Sequence, residues 1–566
     1  MWQHAARNSS SSIPSSPEPT ALQETTPSHL LRTTSTSPVP IDLFSTDIAG
    51  DAFIERYYKC FHRCHPCVLP RSSLERFMQY TSSHAELKAL ISVMRYTGSL
   101  YLPSARQPSQ RGSISRQLDE IASAAISCAV SASSAASSSS SFWLLAQSHL
   151  IYSIGKYWQG HPEASRQHLD AAIRLVLEHR MFCREYAVEH GRCSPVLQEC
   201  LRRTWWQIYI VDASHAAIKR QSSFALISIQ PTADLPCEED EYDSGSIPPP
   251  KTLEEFDARE FAPDDAQFSS FAYLVGAIRS MATAISRAYS ITDASSDYSP
   301  ITRSPKFLEE VDALIHGWML LVPETKSHVL TKNGEVDELL FYGYMALHAT
   351  SAGLHRSFSE CHVNPLEDMS SCSSPHVKDC QARGLDLTDG SPFTRVHTAR
   401  CIEAAEAQIR MLSFPARPTS HSPFTVCMLT TGTLSLLAAC KFILRGEKLA
   451  VARDQIRASI GYHRAMAGMW AQAKTNLGEI QEIARTVLAI DAAKGDVREE
   501  TTPPMPTAGI AADQLADPAV SNPYFITLAQ ETSLSMDDAQ IWSAAAMQVP
   551  MDMSCWWPSE PEMMNS

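Results

Sequence analysis

The chain has 566 residues, 44% apolar and 19% charged, with a formal net charge of −15. That length allows several domains or one large helical array, at roughly 100–200 residues per domain. The low glycine count (21) and below-average charge argue against collagen-like, coiled-coil and Gly-rich loop architectures, and the acidic balance leaves no global basic field to attract nucleic acid or an anionic membrane.

Residues 1–49 are dominated by Ser, Thr and Pro, as at Ser9, Ser10, Ser11, Ser12, Pro14, Pro17 and Pro19. Such a segment holds too few apolar groups to offset ordering entropy, which predicts a disordered leader. It opens without the basic and apolar regions of a secretory signal, and most of the 15 cysteines sit inside apolar helical patterns, so reduced thiols in an intracellular protein are expected. From Asp51 the apolar spacing becomes helical, in Phe53, Ile54, Tyr57, Tyr58 and Phe61, then Leu74, Phe77 and Met78, then Leu87, Leu90, Ile91 and Met94.

A tract at 122–141 with ten serines and seven alanines reads as a helix tail running into a flexible linker. Dense helix signals follow at 142–158 and from Pro162 through Leu169, Ala172, Ile173 and Val176. At 196–218 the residues Leu197, Cys200, Leu201, Thr204, Trp205, Ile208, Tyr209 and Asp212 keep one face over four turns. Further helices are predicted near 266–292, 305–322, 335–358, 394–412, 422–445, 447–472 and 477–493. Segments 230–261, rich in Pro and acid, and 359–391, rich in Ser, Cys and Gly, read as linkers rather than core. The fold class is therefore all-α: one large, irregular helical array over 50–495 between the leader and a tail at 496–566.

That tail is distinctive. Residues 501–566 carry eight acidic side chains and no Lys or Arg, interspersed with Phe525, Trp542, Trp556, Trp557 and several methionines. Acid keeps such a segment extended and leaves its aromatic groups available to fold against a partner groove.

Signatures of nucleotide binding, nucleophile elbows and two-histidine zinc sites are absent, and close acidic pairs such as Asp264-Asp265 fall outside the helices, so catalytic and cofactor-binding residues are assigned as none. Cys60, Cys64 and Cys67 with His62 and His65 form a dense set of soft ligands, yet a helix stripe ending at Pro66 explains them as packing, and no metal ligand is assigned. Cys361, His362, Cys372, His376 and Cys380 match no closed tetrahedral spacing. The apolar stretch 425–444 includes four threonines and a lysine and reads as a buried helix, not a membrane span. Within 199–212, Trp205 and Asp212 fall on the apolar side while Arg202 and Gln207 point away from it; a carboxylate there needs a partner, an Arg or a Trp indole from a neighbouring helix.

Taken together, these residues resemble a known family. Arg202, Arg203, Thr204, Trp205, Trp206, Tyr209 and Asp212 resemble the signature helix in the middle homology region of fungal binuclear zinc-cluster (Zn2Cys6) transcription factors. The helix at 162–180 is similar to the one preceding it, the loop Asp234, Leu235, Pro236, Cys237 to the family's acidic-proline-cysteine loop, and Tyr57-Tyr58, Phe61-His62, His65-Pro66 to the segment that opens the region.

The resemblance implies a nuclear transcription regulator of RNA polymerase II genes, controlling a metabolic or secondary-metabolite gene set, with no enzymatic activity and no membrane association. Its helical region would be a regulatory, partner-binding module, and Phe525, Trp542, Trp556 and Trp557 would belong to an activation segment for coactivators. DNA, a homo- or heterodimer partner and a small-molecule effector, first sought beside Trp205 and Tyr209, are the implied partners. The family's six-cysteine cluster binds two zinc ions and reads the major groove. Residues 1–59 hold no cysteine, so zinc is expected only with an upstream cluster. Two explanations stay open, a lost upstream exon or a cofactor or scaffold that acts without direct DNA contact; an all-helical enzyme is the more distant alternative. Lys219-Arg220-Gln221 replaces the family's Gly-Arg-Pro turn, leaving the conformation there an open point.

Overall fold

The computed structural model describes residues 47–81, 84–102, 108–135, 141–263, 267–293, 305–361, 367, 370–372 and 391–488. The leader up to residue 46 and the tail with Phe525, Trp542, Trp556 and Trp557 lie outside them. Among the described residues there is no strand, only isolated bridges at Leu235–Lys251 and Leu330–Val336, and the fold is all-α.

The helices are α1 (Ala52–Arg56), which continues into a π-helical turn (Tyr57–His62), α2 (Arg71–Tyr80), α3 (His84–Leu100), α4 (Pro108–Ala135), α5 (Phe142–Trp158), α6 (Pro162–Glu178), α7 (Arg184–Gly191), α8 (Pro195–Lys219), α9 (Glu239–Ser244), α10 (Leu253–Asp257), α11 (Ser270–Asp293), α12 (Pro305–Leu320), α13 (Glu324–Ser327), α14 (Glu338–Arg356), α15 (Pro392–Met411), α16 (Thr425–Phe442), α17 (Gly446–Ala467) and α18 (Ala471–Val487). Packing is pairwise, α3 against α4 and α5, α5 against α6, then α14 against α11, α15 and α16, and α17 against α16 and α18. Helix α8 touches α5, α6, α7 and α11, and so links the first group to the second.

Packing starts slightly before residue 50. Ile48 is buried, and Asp51 caps α1 by accepting from the amides of Phe53 and Ile54 while its other oxygen takes a 2.6 Å bond from buried Arg95. Gly98 of α3 lies directly under α1, where a Cβ would meet the Phe53 carbonyl.

Two expected linkers are structured. The Ser/Ala tract is helical through Ala135, because Leu118, Ala122, Ala125, Ile126 and Ala129 form a buried stripe against α3 and the hydroxyls of Ser127 and Ser131 bond carbonyls four residues back. Segment 230–261 supplies Leu235, Tyr242, Leu253 and Phe256 to the core, and its acids cap short helices instead of repelling the fold, as in the capping boxes Glu238/Glu241 and Thr252/Glu255. In 359–391, Cys361 and Cys372 are buried.

Helix α16 is the one described helix long and apolar enough to cross a membrane, and 83% of that stretch is buried within the protein. Its hydroxyls face α17, with Thr425 bonded to the Tyr462 hydroxyl at 2.6 Å, Thr430 to His463 at 3.0 Å and Thr433 to Ser459 at 2.5 Å. A polar seam of this kind needs a protein partner, not lipid.

Candidate functional site: the signature helix and the segments it joins

Helix α8 begins where Ser194 accepts from the Leu197 amide and Pro195 occupies the first turn. Residues 199–216 are then buried on every side. The amphipathic expectation fails here: Arg202 and Gln207, expected to point away from the core, are 5% and 0% exposed. Neighbouring elements cover α8 on every side here, so its charged residues are held by protein partners instead of water, while Trp205 Nε1, Gln207 Nε2 and His215 Nε2 are buried without a hydrogen-bond partner.

Arg203 sits at the centre and has no exposed surface. Its Nε donates to Glu199 Oε1 at 2.7 Å, Nη1 to Glu239 Oε1 at 2.5 Å and Nη2 to the Cys237 carbonyl at 2.8 Å. The guanidinium also lies 4.0 Å from the centre of the Tyr242 ring, a cation–π contact. Glu199 is equally buried and accepts from Arg203, from Arg202 at 3.0 Å and from the Cys237 amide at 2.9 Å. Burial alone would raise the Glu199 pKa, but the Arg203 and Arg202 charges and these bonds outweigh it and hold the carboxyl below its ordinary value.

The loop fits over this network. Trp206 Nε1 donates to the Asp234 carbonyl at 3.0 Å, Arg184 Nε donates to the Asp234 carboxylate at 2.6 Å, and Leu235 is buried. The Pro236 carbonyl accepts from Ser269 Oγ at 2.6 Å, which ties the loop to the start of α11. Thus Asp234, Pro236 and Cys237 are bonded to α8 or to elements beside it, while Leu235 is buried and pairs with Lys251.

The opening segment docks on the same helix. His65 Nδ1 lies 3.3 Å from Gln207 Oε1 and its Nε2 lies 3.1 Å from Ser422 Oγ. The Cys67 carbonyl accepts from Gln147 Nε2 at 2.6 Å, and that amide also donates to Thr204 Oγ1 at 2.8 Å. Tyr242 Oη donates to the Val68 carbonyl at 3.1 Å. Cys64 donates to the Ser420 carbonyl and Cys67 is fully buried, so these thiols pack at the end of a π-helical turn.

Asp212 finds its expected partner on the preceding helix, where Arg166 of α6 donates to it at 3.3 Å, and it also accepts from the Leu226 amide at 3.2 Å. Burial raises its pKa against the opposing charge of Arg166. At the far end of α8 the altered turn resolves into a left-handed cap: Arg220 adopts φ 53°, ψ 44°, and the Gln221 amide reaches the Ala216 carbonyl at 3.0 Å. Glycine is the usual residue in that conformation. The Arg220 guanidinium is anchored on the Cys372 carbonyl.

The four motifs therefore converge on one helix. Trp205 and Tyr209, where an effector pocket was expected, are instead packed, Trp205 against Phe182 and Trp206, Tyr209 against Trp206 and Phe224. An open cleft of about 610 Å³ lies elsewhere, between α4, α5 and α6, lined by Asp119, Tyr152, Lys156 and His168 among others. Glu199, Glu239, Tyr242 and Gln147 were missed as site residues. The Glu199–Arg203 spacing of four and Glu199–Arg202 spacing of three were the available signals. With its central charges fully buried, the cluster reaches no substrate; what it does is fix the mutual placement of four segments distant in sequence.

Residues 54–328 match the fungal specific transcription factor domain. A C6 finger domain transcription factor, iacK, from Pestalotiopsis fici is 29% identical to this chain over 436 residues. The aligned part is 77% of this chain and 59% of that protein. No solved structure matches the chain. The region built around α8 lies within the residues that match the fungal specific transcription factor domain.

Proposed function

We propose that this chain is a transcription regulator of RNA polymerase II genes, acting in the nucleus on a metabolic or secondary-metabolite gene set. The reading rests on one observation, that the opening segment, the preceding helix, the signature helix and the acidic-proline-cysteine loop close on one another inside the matched domain. A buried charged joint of this kind lets a large helical region move or bind as one body, which suits a regulatory and partner-binding module rather than a catalyst. Segment 496–566, with Phe525, Trp542, Trp556 and Trp557, is assigned to coactivator binding. A homo- or heterodimer partner and a small-molecule effector belong to the same reading. Zinc would require the six-cysteine cluster, and residues 1–59 contain no cysteine to form it, so no step is assigned to the metal.

The test fuses the full chain to an unrelated DNA-binding domain in a reporter strain. Reporter output should change, and deletion of 496–566 should remove the change. A full-chain fusion that alters output in neither direction overturns the reading.

A further inference from the structure

Two cysteines of segment 359–391 each face a cysteine of a core helix. Cys361 packs with Cys401 of α15 in a small cluster of its own, closed by Ala438 and Ala439. Cys372 meets Cys427 of α16, and one side-chain amide, Asn476 Nδ2 of α18, reaches both sulfurs, at 3.2 Å and 3.8 Å. In each pair the partner sulfur is the largest influence on the other's ionisation.

The second pair is built for reaction. The turn holding Cys372 is clamped to α18 through Ser371, whose amide and hydroxyl donate to Glu479 Oε2 at 3.0 Å and 3.1 Å. The Arg220 guanidinium, at the end of the signature helix, holds the Cys372 carbonyl, and the neighbouring Cys427 thiol together with the Arg220 charge lowers the Cys372 pKa against burial and the opposing Glu479 carboxylate. A cation and an amide donor both favour a thiolate over a thiol. Cys372 and Cys427 are 5% and 6% exposed beside exposed Ser371, whereas Cys361 and Cys401 are 1% and 0% exposed.

We propose that Cys372 and Cys427 form a peroxide-oxidisable dithiol, a modification site that joins the turn at 370–372 to α16 beside the end of the signature helix. The Cys372 thiolate attacks one oxygen of hydrogen peroxide; the S–O bond forms as the O–O bond breaks, and the released hydroxide takes up the thiol proton as water. The Cys427 sulfur then attacks the Cys372 sulfur, the S–O bond breaks, a second water leaves and the disulfide forms. Two thiols lose two electrons and two protons, and one peroxide gains them. The inference is independent of the transcriptional reading.

The experiment treats the reduced full-length chain with hydrogen peroxide, quenches, alkylates under denaturing conditions and maps the peptides by mass spectrometry without reductant. The expected product is a Cys372–Cys427 linked peptide two mass units below the sum of its thiol halves, abolished by dithiothreitol. In Cys427→Ser the link should vanish and a dimedone adduct should appear on Cys372. The proposal is overturned if both residues of the wild-type chain remain fully alkylated, if Cys372 pairs with any other cysteine, or if only Cys361–Cys401 becomes linked.

Discussion

Arg203→Met keeps much of the side-chain volume at the centre of α8 and deletes its charge. Glu199 then loses a 2.7 Å bond but retains Arg202 at 3.0 Å and the Cys237 amide at 2.9 Å, while Glu239 and the Cys237 carbonyl lose their donor altogether. Removing one partner of a buried pair costs about 3–5 kcal/mol, and the surviving Arg202 contact points to the lower end, about 3 kcal/mol. Domains are commonly stable by about 5–15 kcal/mol, so this is a large fraction of the total. With a urea dependence of about 1–3 kcal/mol per molar, the unfolding midpoint should fall by roughly 1–3 M. Pairing the change with Glu199→Gln removes a carboxylate that has lost one of its two arginines, so the double variant should be more stable than additivity allows by at least about 1 kcal/mol. Urea unfolding followed by far-UV circular dichroism reads both. A single-variant midpoint within about 0.3 M of wild type, or strict additivity, would refute the reasoning.

Gly98→Ala should destabilise, because the new Cβ would lie 2.0 Å from the Phe53 carbonyl oxygen and the obstacle is backbone. Overpacking costs about 1–3 kcal/mol, and a thermal melt should show a lower midpoint, while Gly112→Ala, with open space around it, should leave the midpoint unchanged or raise it. Acid should unfold the domain early. Buried His62, His149 and His215 are lowered to about 3, and His65, His348 and His355 to about 4, chiefly by burial. The unfolded chain therefore binds protons first, so the stability these groups contribute is complete above about pH 6.5 and drains away as pH falls toward their folded values. Each forfeits up to about 2 kcal/mol by pH 5, so the unfolding midpoint should lie above about pH 4; a native spectrum at that pH would contradict it.

Helix positions were legible wherever apolar residues kept a 3.6 period, as at Pro162–Glu178 and Pro392–Met411. What periodicity could not convey was how many sides of a helix are covered. Arg202 and Gln207 look like solvent-facing residues on a helical wheel, yet Arg202 is held by buried Glu199 and Gln207 by His65, far away in sequence. Composition misled in 230–261 for a related reason, since Glu238, Glu239 and Glu241 act as caps and counter-ions, roles that depend on where Arg203 lies. Asp212 was the opposite case: the cost of an unpaired buried carboxylate required an Arg nearby, and Arg166 supplies it. The Arg220 cap was hidden because a non-glycine residue there discloses its conformation only in the fold.

The seating of the opening segment has a consequence for synthesis. Cys64 and His65 rest on Ser420 and Ser422, so a growing chain presents them more than 350 residues before those final neighbours emerge. At about 5–20 residues per second that interval is roughly 20–70 s. During it this end of the opening segment lacks its last cover, which makes chains stopped short of residue 424 natural clients for chaperones and poor candidates for soluble expression.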